Sequence, residues 1–348
     1  MDKIKLIHVG LGAWGGNWAT HVLPNHPEVE TVAYVDMVAE KRDIMAARLG
    51  EPKAKFFAHM DDAFRAVQAD AVSIAVPIAL HEPLARQALE AGKHVVVEKP
   101  FAVNMAEARG LVALAEKLGK VLVVSQNYRF YPAPRTIAEL SKKGYFGRIT
   151  GAKIDFRRNA FAERSGNVNV PNPMLSDMAV HHYDLMRMLI GADPVEVTAR
   201  SWNPPGSPYS MDASAAAILT FPNNVTVSYR GSWVDAGPQT AWAGEWQLDF
   251  ERASMMWTAR GEQPYQARRD YVQIRRPNGL AHEDVPLVDW PLHDRAGVLA
   301  ALAQTVRTGV EPPHLPTGRA NLGTLATIEA ALTSAANGGG SVRLDSIM

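Results

Sequence analysis

The chain has 348 residues, long for one hydrophobic core and natural for two domains. Lysine plus arginine balances aspartate plus glutamate at 36 each, so no net basic charge points to nucleic acid or a membrane surface. The lack of cysteine excludes disulfides, iron–sulfur clusters, thiolate zinc and cysteine nucleophiles.

The opening residues Met1 to Lys5 lead straight into Leu6, Ile7, His8 and Val9, without the pattern of a secretion leader. No run reaches the ~18 apolar residues of a spanning helix. The expectation is a cytoplasmic protein with no membrane partner. Short apolar runs ending at Val9, Val35, Val76, Val97 and Val124 read as strands, with helices over 17–23, 39–49, 81–91 and 105–118 between them. Gly50, Gly92 and Gly119 stand where left-handed helix caps belong. Runs such as 71–76 are apolar without alternation, as in strands covered on both faces. The fold class is therefore α/β, with an N-terminal doubly wound parallel sheet of the Rossmann type over residues 1–125.

The pattern changes over residues 126–348. Pro132 and Pro134 open a helix ending near Gly144, and 148–156 alternates like a half-buried strand. A polar loop over 167–173 precedes a helix over 176–190 that stops at Gly191. Strand signals follow over 195–201, 215–221, 225–233, 246–250 and 272–275. These residues predict an α+β domain with a large open, mainly antiparallel sheet. A closing helix over 318–336 is expected to pack back toward the first domain.

Gly10-Leu11-Gly12-Ala13-Trp14-Gly15 falls between the first strand and the first helix. In a dinucleotide site the first glycine permits the tight turn, the second admits a pyrophosphate and the third lets helix pack on strand. The alternative is a glycine-rich turn of no special purpose. Asp36 decides between them: it ends the second strand, 21 residues past Gly15, where a carboxylate accepts from the adenosine ribose. That charge repels a 2′-phosphate and favours NAD, although Lys41 and Arg42 leave NADP possible.

Three segments go beyond a generic fold: His81-Glu82-Pro83-Leu84-Ala85, the run from Gly92 through Glu98-Lys99-Pro100, and Leu175-Ser176-Asp177-Met178-Ala179-Val180-His181 with Asp184. Together they resemble the glucose–fructose oxidoreductase / inositol dehydrogenase / MocA family (Gfo/Idh/MocA), and the resemblance runs the length of the chain. It implies that Lys99, Asp177 and His181 form the reaction centre, and that the Lys99–Pro100 bond is cis. Ala179 departs from a glycine common at that place in the family. With Gly10, Gly12, Ala13, Trp14, Gly15 and Asp36, the residues Pro77, His81, Glu98 and Lys99 make up the expected cofactor-binding set.

The chemistry suits these residue types. Alcohol oxidation sends a hydride to the nicotinamide and a proton to a base. His181 is of the residue type whose unperturbed pKa of ~6.5 suits proton transfer near neutrality, and Asp177 lies one turn earlier on the same helix face, placed to fix the imidazole or bind a neighbouring hydroxyl. Lys99 follows the carboxyl end of a parallel strand, where ligands bind in such sheets. Singly, each residue has an ordinary alternative: a solvated lysine, or a helix-surface Asp–His contact. His181, His182 and Asp184 also read as metal ligands, but His182 points away from the other two, so no metal is expected and His182 fits a packed position.

Candidate substrate-binding residues are Asn127, Tyr128 and Arg129 after the last Rossmann strand, Arg157, Arg158 and Asn159 at the end of the next strand, and His182. Arg129 or Arg157 suits an anionic group; pairing with acidic side chains is the alternative. Trp14 and Trp233 either stack on a sugar or belong to the core. The resemblance implies a sugar or inositol dehydrogenase. The alternatives are an NAD-dependent glycoside hydrolase using the same residues and a non-catalytic NAD sensor. The open sheet needs its second face covered, so a homodimer or homotetramer through residues 215–221 and 225–233 is expected.

Overall fold

The computed structural model describes residues 2–159, 170–261, 270–277, 279 and 281–348. The loop expected over 167–173 therefore lies partly outside the described residues. The chain divides into two compact units, Met1–Asn127 with Leu292–Leu322, and Tyr128–Pro291 with Gly323–Met348.

The first unit holds a six-stranded sheet of β1 (Ile4–Val9), β2 (Val29–Val35), β3 (Phe56–Phe57), β4 (Ala71–Ile74), β5 (His94–Val97) and β6 (Leu122–Val124). All pairs are parallel, in the order β3-β2-β1-β4-β5-β6. The order reverses between β1 and β4, which opens a crevice at their carboxyl ends. Every residue of β4 is buried, as is the valine run of β5, so the missing alternation did mark two-faced strands. Helices Ala39–Leu49, His81–Glu90 and Met105–Lys117 stand where they were expected. Gly50 caps the first of them at φ +66°, a conformation that glycine adopts without strain.

β3 and helix Met60–Ala66 were not foreseen; two and seven residues are too few to set up a period. Helix Asp294–Thr308 was also missed, and it belongs to the first unit rather than to the second half of the sequence. Its alanine-rich sequence blurs the contrast between faces. His26 Nε2 meets the Ala296 carbonyl at 3.0 Å, and Arg307 pairs with Glu28, so this late helix is fastened to the segment entering β2.

The second unit is built on nine strands: β7 (Ile149–Arg157), β8 (Glu196–Trp202), β9 (Ser214–Thr220), β10 (Thr226–Ser232), β11 (Glu245–Phe250), β12 (Ser254–Thr258), β13 (Tyr271–Arg275), β14 (Glu283–Asp284) and β15 (Val342–Arg343). Their order is β14-β13-β12-β11-β7-β10-β9-β8-β15, antiparallel throughout except for β7 beside β10. Inward residues alternate with outward ones, as on β10, where Val227 and Tyr229 are buried and Thr226 and Arg230 exposed. Trp246 and Trp257 are cross-strand partners with ring centroids 4.7 Å apart. Helix Ala179–Ile190 lies on the inner face, its His182 against Phe156 of β7 and Tyr229 of β10. Among the described residues, no helix is long and apolar enough to cross a membrane.

Candidate active site

The phosphate loop follows β1, and its three glycines answer to three different demands. Gly10 sits at φ +100°, and a Cβ there would lie 2.2 Å from the Ala75 carbonyl oxygen. At Gly15 a Cβ would lie 2.0 Å from the Gly10 carbonyl oxygen. Both are glycine because the loop must pass close to its own backbone. A Cβ on Gly12 would meet only Lys41 Nζ, at 3.9 Å. Among the described residues nothing crowds that position, so its side of the loop is open to an incoming diphosphate. Helix Ala13–Asn17 begins there, presenting first-turn N–H groups.

Asp36 ends the crossing from β2. Its Oδ2 accepts from Leu11 N at 2.8 Å and its Oδ1 from Val38 N at 2.9 Å. The carboxylate therefore braces the loop and keeps lone pairs for ribose hydroxyls. Arg42 Nη1 donates to the Asp36 carbonyl at 2.6 Å. Beneath the loop, His8 places Nε2 3.0 Å from the Gly15 carbonyl and Nδ1 2.8 Å from Ser73 Oγ. Burial pushes this imidazole down to about 4, and the charge of Arg295 adds to the shift. A neutral ring that donates from Nε2 and accepts at Nδ1 satisfies both partners.

Glu98 and Lys99 follow β5. Glu98 is buried, and its Oε1 accepts from the indole N–H of both Trp14 and Trp18, each at 2.8 Å. Its Oε2 accepts from the Lys99 amide at 3.2 Å. The Lys99–Pro100 bond is cis. His81 lies between the Pro100 carbonyl, 2.7 Å from Nδ1, and the Val76 carbonyl, 2.9 Å from Nε2. Burial lowers the His81 pKa, against the two carbonyls that favour the proton.

In the second unit, Asp177 falls in a wide turn, Met174–Met178, closed by a bond from Ala179 N to the Met174 carbonyl. His181 follows in the first turns of helix Ala179–Ile190. The Tyr128 ring lies parallel to the His181 imidazole, centroids 4.1 Å apart and planes within 4°. Arg260 donates from Nη1 to the Tyr128 hydroxyl at 2.6 Å, its guanidinium carbon 4.9 Å from the ring centre. The catalytic candidate thus rests on a tyrosine that is itself held by an arginine.

A family model described as an oxidoreductase family with an NAD-binding Rossmann fold matches residues 4–126, and the Gfo/Idh/MocA C-terminal domain matches residues 134–255. The chain belongs to the Gfo/Idh/MocA family. An uncharacterised protein of Sinorhizobium fredii is 32% identical over 249 residues, 70% of this chain and 69% of its own. A D-apiose dehydrogenase of Paraburkholderia graminis is 28% identical over 286 residues, 78% of this chain and 72% of its own. An inositol dehydrogenase homologue of Azotobacter vinelandii, solved with NADH and myo-inositol, shares the fold with a TM-score of 0.83 at 18% identity, covering 98% of both chains. As the sequence resemblance implied, this is a Gfo/Idh/MocA oxidoreductase with an NAD-binding Rossmann domain and a mainly antiparallel second sheet.

Within this Gfo/Idh/MocA chain several candidate residues have other duties. Arg129 is buried against Asp184, with Nε and Nη2 at 2.5 and 2.6 Å from its two oxygens, and Thr324 Oγ1 adds a bond at 3.1 Å. Reading a substrate anion with Arg129 gives way to this buried pair. His182 is fully buried between the Tyr229 hydroxyl and the Trp242 carbonyl, and burial holds its pKa near 4, so it packs the core rather than the substrate. His81 likewise supports the Lys99 loop, through the Pro100 carbonyl. Arg157 is tied to Asp155 and Glu245. Trp233 packs edge-on against Phe156, 5.3 Å away, as core.

The remaining candidates are placed without such a conflict. Pro77 precedes the turn Ile78–Leu80 after β4. Asn127 donates to Asp294, and Asn159 bridges to Val234. Arg158 lies over the Trp242 ring at 4.1 Å. Trp18, Arg260, Trp242 and Arg295 were missed, since the group each one holds is distant in sequence, as Glu98 is from Trp18 and Tyr128 from Arg260.

Proposed function

We propose that this protein is an NAD-dependent dehydrogenase acting on a secondary hydroxyl of a sugar, a sugar derivative or an inositol, with Lys99, Asp177 and His181 at the reacting carbon. The observation that carries the reading is Lys99 itself. Its main chain is fixed on both sides, by Glu98 at its amide and by His81 at the Pro100 carbonyl, at the carboxyl end of a sheet that carries an open phosphate loop. The names of the D-apiose and inositol dehydrogenase relatives support a polyhydroxylated substrate.

NAD supplies the hydride acceptor; Gly12, the helix beginning at Ala13 and Asp36 fit its diphosphate and ribose. Lys99 donates to the substrate oxygen and stabilises the negative charge that grows there. His181 takes the hydroxyl proton, its ring plane set by Tyr128. Asp177 orients the imidazole or holds the neighbouring hydroxyl. The protein works as a homodimer or homotetramer joined through the outer face of the second sheet.

The test is a panel of sugars, inositols, sugar acids and glycosides with NAD, followed by absorbance at 340 nm and by released aglycone. A dehydrogenase accumulates NADH; aglycone release with no net NADH would replace this reading with a glycoside hydrolase. With a substrate in hand, Lys99→Ala and His181→Ala should each lower kcat by roughly 100-fold or more, while NAD affinity changes little. Near-normal turnover by both variants would end the proposal.

A further inference from the structure

We propose that Trp14 and Trp18 are positioning residues which, through Glu98, couple occupancy of the phosphate loop to the placement of Lys99. The inference rests on the reading of Lys99 as a reacting-carbon residue and goes beyond it. Trp14 belongs to the phosphate loop itself. Its indole N–H reaches across from the turn after β1 to the carboxylate that follows β5, 2.8 Å away. Trp18, one turn on, gives the same oxygen a second donor at the same distance. Such bonds to a buried carboxylate are charge-assisted and directional. With Oε1 fixed, the second oxygen is left facing the Lys99 amide.

Trp14 needs a further reason to stay in this orientation, because the residue is 43% exposed. Arg295 provides one. This buried arginine lies over the Trp14 ring with its guanidinium carbon 4.4 Å from the centre, and over Trp18 at 5.6 Å. It donates from Nη2 to Asn17 Oδ1 at 2.7 Å, in the same helix that opens at the loop. Loop, tryptophans, arginine and glutamate form one connected set, and all of them lie in the first unit. A diphosphate that fixes the loop therefore fixes Trp14, then Glu98, then the Lys99 backbone. The setting of the Lys99 main chain, from which the amine projects, thus responds to what the loop holds through a chain of hydrogen bonds rather than through contact with nicotinamide.

The coupling is measured without a substrate by using ADP-ribose, which carries the diphosphate but no nicotinamide. Lysines are reductively methylated with 13C-formaldehyde, and the Lys99 resonance is assigned by its absence in Lys99→Arg. In the wild type, ADP-ribose should move that resonance. Trp14→Phe keeps a ring under Arg295 but removes the N–H. Titrated with ADP-ribose to the saturation that calorimetry defines for that variant, whatever its affinity, it should leave the Lys99 resonance unmoved. Glu98→Gln is the second variant and should uncouple in the same way. With a substrate known, Trp14→Phe should lower kcat about tenfold or more with KM nearly unchanged, as for a small misplacement of a reacting group. An equal Lys99 response in Trp14→Phe, or none in the wild type, overturns the coupling. Turnover by Lys99→Ala decides the role of Lys99 separately, so the two failures are told apart.

Discussion

Asp36 shows how one side chain carries two duties. A carboxylate after β2 is expected to hold the adenosine ribose, but here it also accepts from the amides of Leu11 and Val38. Removing it should therefore disturb the loop as well as the ribose contact. Asp36→Ala should weaken NAD by about tenfold or more and lower the melting temperature, since a charge-assisted bond to backbone is worth ~1.5–3 kcal/mol. Asp36→Asn keeps an acceptor for one amide and loses the charge that repels a 2′-phosphate. It should retain more stability than the alanine variant and narrow the gap between NAD and NADP. Titrations with both cofactors, beside a thermal melt, check the pair. If the wild type preferred NADP, or both variants melted like the wild type, the double role would be wrong.

The phosphate loop is the element in which fold and function separate most cleanly. Gly10 and Gly15 are required by the backbone beside them, whereas Gly12 faces open space. Gly10→Ala must place a Cβ against the Ala75 carbonyl at a positive φ and should destabilise the unit by more than ~2 kcal/mol. Gly12→Ala should melt within about a degree or two of the wild type but bind NAD at least tenfold more weakly. Denaturation curves and NAD titrations of the two variants should thus give opposite patterns. Equal loss of stability in both would show that the loop is only a turn. This element was legible in the sequence because glycine spacing is local, as were β4, β5 and the flanking helices, whose periods run over enough residues to be counted. Helix Asp294–Thr308 was not legible, because its partners include His26, 270 residues from Ala296 in the chain. Nor were the partners of Glu98, Tyr128 and Asp184. A motif shows that a carboxylate or arginine is present, and only the tertiary fold shows whether it meets ligand, as proposed for Lys99, or another side chain, as for Arg129.

At the scale of the whole molecule, the outer face of the second sheet and the buried histidines lead to separate expectations. On that face Ile218 of β9 and Trp202 of β8 are 47% and 41% exposed, beside an Arg230 already paired with Asp155 and Asp235. Large apolar side chains exposed on one face of the sheet, with Arg230 neutralised beside them, suit a second copy of the chain. Light scattering at micromolar concentration should give a dimer or tetramer, and Ile218→Arg should shift it toward monomer; a monomeric wild type would refute the assembly. The histidines bear on pH. His8 in the first unit and His182 in the second are buried and held at about 4, below the ordinary 6.5. A depressed histidine pKa means that the unfolded chain takes up a proton before the folded one does. Their contribution to stability is complete above pH 6.5, falls as the pH drops from 6.5 toward 4, and changes no further below that. Each is worth on the order of 3 kcal/mol across the window. The carboxylates with depressed values, such as Asp235 and Glu251, act lower in the range, so the interval from about pH 6.5 to 5 isolates the histidines. Calorimetric melts between pH 7.5 and 5 should show a falling midpoint. His182→Gln, which keeps a side chain able to hydrogen-bond Tyr229 or the Trp242 carbonyl, should start from a lower midpoint and fall less steeply. An unchanged slope in that variant would mean that some other group takes up the proton.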